Sequence, residues 1–125
     1  MKRRVHVVFV EDINSIAQVL VVGLDFFGIT VDPVYRTGEQ FLNQYNEPTT
    51  AGIDMFIFDI RLPKLSGVEI ARRLREMGDK RPIALVSAWA PPPKKDLEEL
   101  DAVYLSKPFN IRELAGQIHT MVGSG

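Results

Sequence analysis

Residues 53–63, Ile53-Asp54-Met55-Phe56-Ile57-Phe58-Asp59-Ile60-Arg61-Leu62-Pro63, constrain this chain more than any other stretch. Met55 to Phe58 is an unbroken apolar run with neither helical periodicity nor the alternation of a half-exposed strand. Such a run reads as a strand covered on both faces, as inside a parallel sheet. Asp59 ends the run, and Pro63 prevents the strand from continuing. A carboxylate at the carboxyl end of a parallel strand sits where open α/β sheets place their ligands. A capping or turn-forming aspartate would look the same locally, so both readings stand at this point.

Val5 to Val10 is a β-branched strand that ends in Glu11-Asp12. Met1-Lys2-Arg3-Arg4 ahead of it is similar to the basic opening of an export signal, but Glu11 and Asp12 cut the apolar run short, and a strand is expected instead. A long helix follows, with Ile13, Ala17, Leu20, Leu24 and Phe27 at helical spacing on its core face and Gly28 as terminator. Ile16, Val19, Val22 and Phe26 do not fit on that stripe. They predict a greasy outer surface, which is either broad burial under neighbouring loops or a partner-docking face. Ile29 to Tyr35 is the second strand, placed at an edge by Pro33, which cannot donate to a ladder. Thr37-Gly38-Glu39-Gln40 has the capping-box pattern for a helix through about Tyr45.

After the central strand, Ser66-Gly67-Val68-Glu69 forms a second capping box, and Val68, Ala71 or Arg72, and Arg75 precede a stop at Gly78. Pro82 to Val86 is the fourth strand, ending at Ser87-Ala88-Trp89. Ala90-Pro91-Pro92-Pro93 excludes a helix interior, so the fourth helix begins near Pro93 and ends before Asp101. Ala102 to Ser106 is the fifth strand, and Asn110 caps a last helix with Leu114, Ile118 and Met121 on one face.

Strands joined by helical crossovers imply a parallel sheet with helices on both faces. The expectation is therefore a single doubly wound α/β domain: a five-stranded parallel sheet in the flavodoxin-like order 2-1-3-4-5, with five helices, the fourth of them short. Residues 1–122 would form the domain and residues 123–125 a flexible tail. A chain of 125 residues suffices for one such domain, which buries roughly two-thirds of its unfolded surface. In this order strands one and three are neighbours at the switch point, which gathers Glu11, Asp12 and Asp59 at one sheet edge. Three carboxylates so close repel by roughly a few kcal/mol per pair at an effective dielectric near 20, so the site should hold protons or a cation. Mg²⁺, which takes one or two carboxylates and keeps several waters, matches this oxygen set better than zinc. The chain has no cysteine, which removes disulfides, thiolate catalysis and cysteine zinc sites and suits a reducing cytoplasm. His6 and His119 lack ligand partners at useful spacing and read as structural. Fifteen basic against sixteen acidic residues give a net charge of -1, with no footprint for nucleic acid or an anionic membrane.

Glu11-Asp12, Asp59, the segment Leu62-Pro63-Lys64-Leu65-Ser66-Gly67, Ser87-Ala88 and Lys107-Pro108-Phe109 agree in order and spacing with one family. Over essentially its whole length the chain resembles a response-regulator receiver domain, the phosphoacceptor half of two-component signalling. The resemblance implies that Asp59 is the phosphorylated aspartate, and that Glu11, Asp12, Asp59 and the backbone carbonyl of Arg61 hold Mg²⁺. It makes Ser87 the hydroxyl that meets the phosphoryl group, Lys107 its counter-charge and Tyr104 the switch aromatic, and it implies a cis Lys107-Pro108 bond. It further implies a cytoplasmic signalling domain, not an enzyme beyond weak self-phosphorylation and autodephosphorylation. The implied partners are a sensor histidine kinase or histidine phosphotransfer protein and a downstream effector or C-terminal effector domain, with no direct contact to nucleic acid or membrane. The chemistry agrees independently: Asp59 is a weak nucleophile, and attack on a phosphoryl donor needs in-line positioning and neutralised oxygens.

Three features depart from the common pattern: Glu11 stands where Asp is more usual, Arg61 and Trp89 are bulky beside the site, and the prolines shorten the fourth helix. Arg61 and Trp89 are expected to screen the phosphoryl group from water. The alternative function is a degenerate receiver, a binding module that keeps the fold and has lost phosphorylation. A flavin-binding flavodoxin would need a phosphate loop where Glu11-Asp12 would repel phosphate. A haloacid-dehalogenase-like phosphatase would need a second acid where this chain has Arg61.

Overall fold

The computed structural model describes residues 3–123. Five parallel strands, β1 (Val5–Val10), β2 (Ile29–Tyr35), β3 (Met55–Asp59), β4 (Ile83–Ser87) and β5 (Ala102–Ser106), form one sheet in the order β2-β1-β3-β4-β5. This is the expected doubly wound topology. The connecting helices are α1 (Asn14–Asp25), α2 (Gly38–Gln44), α4 (Gly67–Glu76), α5 (Lys94–Leu100) and α6 (Ile111–Val122). The structure adds a one-turn helix, α3 (Glu47–Thr50), in the crossover from α2 to β3, where no apolar period marks it.

Side-chain alternation along the buried strands splits the core into two layers. Val5, Val7, Phe9, Met55, Ile57, Ala84 and Val86 pack under α1 and α6. Val8, Val10, Phe56, Phe58, Ile83 and Leu85 pack under α2, α4 and α5, around Phe41. Every residue of β3 is buried, as an apolar run between two neighbouring strands requires. β2 lies at the edge. Its register against β1 slips between Val7 and Phe9, opposite Pro33, which has no amide hydrogen for the ladder.

Capping follows the sequence closely. Ser66 and Glu69 exchange both bonds of the capping box, each at 3.2 Å, and the Glu113 amide donates to Asn110 Oδ1 at 3.1 Å. At α2, Thr37 accepts from Gln40, but the Gln40 side chain returns to the Arg36 amide one residue earlier. Two core assignments need correction. Ile13 precedes α1 and is 48% exposed, because the helix starts at Asn14 and Ala17 is its first buried residue. In α4 the buried positions are Gly67, Ile70, Ala71 and Leu74, so of the expected pair Ala71 is the buried one, while Arg75 turns its guanidinium to backbone carbonyls. Gly123 closes α6 with a left-handed φ of 72°, and Ser124 and Gly125 of the expected tail lie outside the described residues.

Guanidinium groups tie the segments that enter the strands. Arg81 donates to the Ile53 carbonyl at 3.0 Å and to that of Thr50, ahead of β3, and pairs with Asp79 at 2.6 Å. Arg75 donates to the carbonyls of Leu100, Asp79, Arg81 and Asp101, joining the entries of β4 and β5. Arg3 grips Asp54 with two bonds, and Asp54 also accepts from the His6 amide in β1. Burial alone would raise the Asp79 carboxyl, but bonds from the Arg81 side chain, the Tyr45 hydroxyl and the Arg81 amide outweigh it and hold the pKa at about 2. Among the described residues no helix is long and apolar enough to cross a membrane.

Candidate functional site

The carboxyl ends of β1 and β3, neighbours at the centre of the sheet, bring three acids together. One carboxylate oxygen from each of Glu11, Asp12 and Asp59 lies within 4.8 Å of the others. Glu11 and Asp59 are buried and Asp12 faces solvent, so the cluster opens outward on one side. Lys107, delivered by the turn after β5, crosses to this cluster. Its Nζ stands 2.6 Å from Glu11 Oε1 and 2.7 Å from Asp59 Oδ2. Asp59 Oδ1 is held by the Arg61 amide at 2.9 Å. The Asp59 carboxylate is thus fixed at both oxygens by one ammonium and one peptide N–H.

Two buried carboxylates share a single ammonium, and the charge is unbalanced. Burial, then the neighbouring Asp59, pushes the Glu11 carboxyl up to about 7 against the opposing pull of Lys107. Burial likewise works against the Lys107 ammonium, but its bonds to Asp59 and Glu11 prevail and its pKa stands above the ordinary lysine value. The donors are all carboxylate oxygens, a hard set that fits Mg²⁺ and offers no sulfur or imidazole for a softer ion.

Ser87, buried at the end of β4, accepts the Trp89 amide on Oγ at 3.0 Å. Its carbonyl receives the Lys107 amide at 2.9 Å, which fixes the β5 turn against β4. The Tyr104 hydroxyl lies 2.5 Å from the Trp89 carbonyl and 3.2 Å from that of Ser87. The Trp89 indole stacks on the Arg61 guanidinium, 5.0 Å from centroid to Cζ. Lys107-Pro108 is cis, as expected, and so is Asp32-Pro33.

Residues 7–119 match the sequence pattern of the response regulator receiver domain. The chain belongs to that family. This receiver is 35% identical over 117 residues to the transcriptional regulatory protein YkoG of Bacillus subtilis, covering 90% of the chain and 49% of YkoG. It is 34% identical over 118 residues to the transcriptional regulatory protein CusR of Escherichia coli, covering 93% of the chain and 50% of CusR. It therefore spans about half the length of these relatives. The chemotaxis protein CheY4 of Vibrio cholerae has a similar structure, with a TM-score of 0.79 at 25% identity over 94% of this chain and 98% of that one.

The receiver fold brings Glu11, Asp12, Asp59 and Lys107 into one cluster and places Ser87 and Tyr104 on the adjoining β4 and β5. Two features escaped the sequence: the contact of Lys107 with Glu11 as well as Asp59, and the position of Trp89 at the junction of Ser87, Tyr104 and Arg61. The first follows once strand order is known. The second depends on loop rotamers, for which the sequence carries no signal. His119 meets the Phe27 carbonyl at 2.7 Å, joining α6 to the end of α1.

Proposed function

We propose that this receiver accepts a phosphoryl group on Asp59, with Mg²⁺ held by Glu11, Asp12, Asp59 and the Arg61 carbonyl. The observation that carries this reading is the Asp59 carboxylate fixed by Lys107 Nζ at 2.7 Å, inside an oxygen-only acidic cluster. Mg²⁺, when bound, neutralises the phosphoryl oxygens during transfer. An Asp59 carboxylate oxygen attacks phosphorus, and as that bond forms the donor's bond to phosphorus breaks, its electron pair leaving with the imidazole or acetate. The Lys107 ammonium, already at the carboxylate, meets the incoming charge. Ser87 Oγ is occupied as an acceptor by the Trp89 amide, which leaves its hydroxyl hydrogen for a phosphoryl oxygen.

Contacts from Ser87 and Lys107 to the phosphoryl group contribute about 1.5 to 3 kcal/mol each. Moving a switch from 1:99 to 99:1 needs about 5.5 kcal/mol, so the two together are just adequate. Tyr104 is the switch aromatic in this reading, because its hydroxyl is bonded to the loop that leaves Ser87. The donor is a sensor histidine kinase or a histidine phosphotransfer protein. Val19 and Val22 of α1 and Phe26 just after it are exposed, which supports the partner-docking reading of that face. An apolar groove of about 440 Å³ between α1 and the β5 turn, lined by Ile16, Val19, Ala88, Pro108 and Phe109 beside Lys107, is where the donor seats. The output passes to an effector, as the transcriptional-regulator relatives indicate by analogy.

The test is intact-mass analysis after incubation with acetyl phosphate and Mg²⁺. The wild-type chain should gain one phosphoryl group and Asp59→Asn none. A folded wild-type chain that gains no mass would leave the phosphorylation-independent binding module as its function.

A further inference from the structure

The phosphotransfer chemistry above uses the backbone of Arg61 and leaves its side chain without a task. Among the described residues the Arg61 guanidinium has no ion pair or hydrogen bond, and the contact it makes is the face of Trp89 at 5.0 Å. Arg75 and Arg81, by contrast, donate to carbonyls and carboxylates across the base of the sheet. Arg61 is nevertheless anchored beside the phosphoacceptor, since its own amide donates to Asp59 Oδ1 at 2.9 Å. Trp89 is anchored just as closely on the other side. Its amide donates to Ser87 Oγ at 3.0 Å, and its carbonyl accepts the Tyr104 hydroxyl at 2.5 Å. The stacked pair therefore bridges the loop after β3 to the loop after β4, with each member one hydrogen bond from a group that handles the phosphoryl oxygens.

We propose that Arg61 is a second phosphoryl-binding cation, parked on Trp89 in the unmodified chain and drawn from the indole to the phosphoryl oxygens once Asp59 carries them. The inference rests on the phosphoacceptor reading of Asp59. A guanidinium is suited to both positions, because it stacks on aromatic faces and also pairs with phosphoryl oxygens through two parallel bonds. An exposed stack on an indole 64% open to solvent holds it less strongly than charge-assisted bonds to a phosphoryl group, so the hand-over runs downhill when the anion arrives. The same movement uncovers Trp89, whose carbonyl holds the Tyr104 hydroxyl, and the β4–α5 loop loses its tie to the β3–α4 loop. Screening from water, by contrast, would leave the stack closed after phosphorylation.

Trp89 is the single tryptophan of the chain, so its emission reports the surroundings of that one indole, and Arg61→Gln separates the part due to the stack. The experiment follows emission and intact mass together while the chain is incubated with Mg²⁺ and acetyl phosphate. In the wild type both should change in step. For each phosphoryl group it gains, Arg61→Gln, which keeps the backbone amide and carbonyl and removes the charge, should show no emission step and lose the group on the order of tenfold faster, the weight of one charge-assisted contact. Arg61→Lys should recover part of that lifetime. Mass gain without an emission step in the wild type, or an equal step in Arg61→Gln, overturns the hand-over while leaving Asp59 as phosphoacceptor. A folded Arg61→Gln chain that cannot be labelled overturns it too, by making Arg61 part of transfer. Absence of mass gain in the wild type overturns the phosphoacceptor reading and this one with it.

Discussion

Gly67→Ala should damage the site from behind without touching any of its functional side chains. Gly67 opens α4 directly behind the end of β3, and a Cβ there would lie 2.4 Å from the Asp59 carbonyl oxygen, 2.9 Å from the Asp59 carbonyl carbon and 3.1 Å from Ile60 Cα. All three are backbone atoms, so no flexible side chain can yield. Ordinary contact begins at 3.4 Å, which leaves the helix or the Asp59 peptide to move by about an ångström. Overpacking of this kind costs about 1 to 3 kcal/mol, and a value near 2 is expected after the better helix propensity of alanine is credited. Because the displaced peptide carries Asp59, Mg²⁺ affinity should fall along with stability. Urea unfolding gives the first quantity and calorimetric titration with Mg²⁺ the second. A variant within about 0.5 kcal/mol of wild type that binds Mg²⁺ unchanged would refute the reasoning, since surface-like tolerance has no place at such a contact.

Removing one acid from the site tests the cation reading: Asp12→Ala should lose Mg²⁺ binding in calorimetry, and an undiminished isotherm would sink the proposed ligand set. Asp79, held at about 2 against an ordinary 3.8, takes up its proton at lower pH in the folded chain than in the unfolded one. Its contribution, about 2 kcal/mol, is present above about pH 4 and lost as the pH falls toward 2, so Asp79→Asn should flatten the acid limb of the stability curve; an unchanged limb contradicts the assignment. Val19→Asp in the groove beside Lys107 should slow phosphoryl transfer from the cognate kinase or phosphotransfer protein and leave acetyl phosphate labelling intact. Equal loss with both donors would show that the substitution acts on folding instead.

The strands and their order were legible because parallel strands announce themselves as continuous apolar runs, and the crossovers between them admit few topologies. The acidic cluster followed from topology alone, once β1 and β3 were placed side by side. Helix boundaries were legible where a cap is written in side chains, as at Ser66 and Asn110. They were less so at α1, where Ile13 continues the apolar spacing but precedes the first helical turn. One turn of helix at α3 has too few residues for a period to emerge. What the sequence did not contain is the meeting of Arg61 with Trp89. Nothing in the spacing of a loop arginine and a loop tryptophan, twenty-eight positions apart by their numbering, fixes two rotamers to face each other.

The arginine ties at the strand entries divide the molecule mechanically. Arg3, Arg75 and Arg81 fasten the segments leading into β1, β3, β4 and β5 to one another through carbonyls and carboxylates. At the opposite end of the same strands, the loops are joined by the Lys107 amide on the Ser87 carbonyl, the Lys107 ammonium on Glu11 and Asp59, the Tyr104 hydroxyl and one exposed stack. The sheet therefore has a riveted base and a loosely laced crown. Rearrangement at the crown leaves the base pinned, so amides there should exchange with solvent by local opening while those at the base wait for the whole domain to unfold. If the proposed phosphorylation of Asp59 drives a switch, its movement is expected at the crown about a fixed floor, with the free energy of folding kept apart from that of the movement.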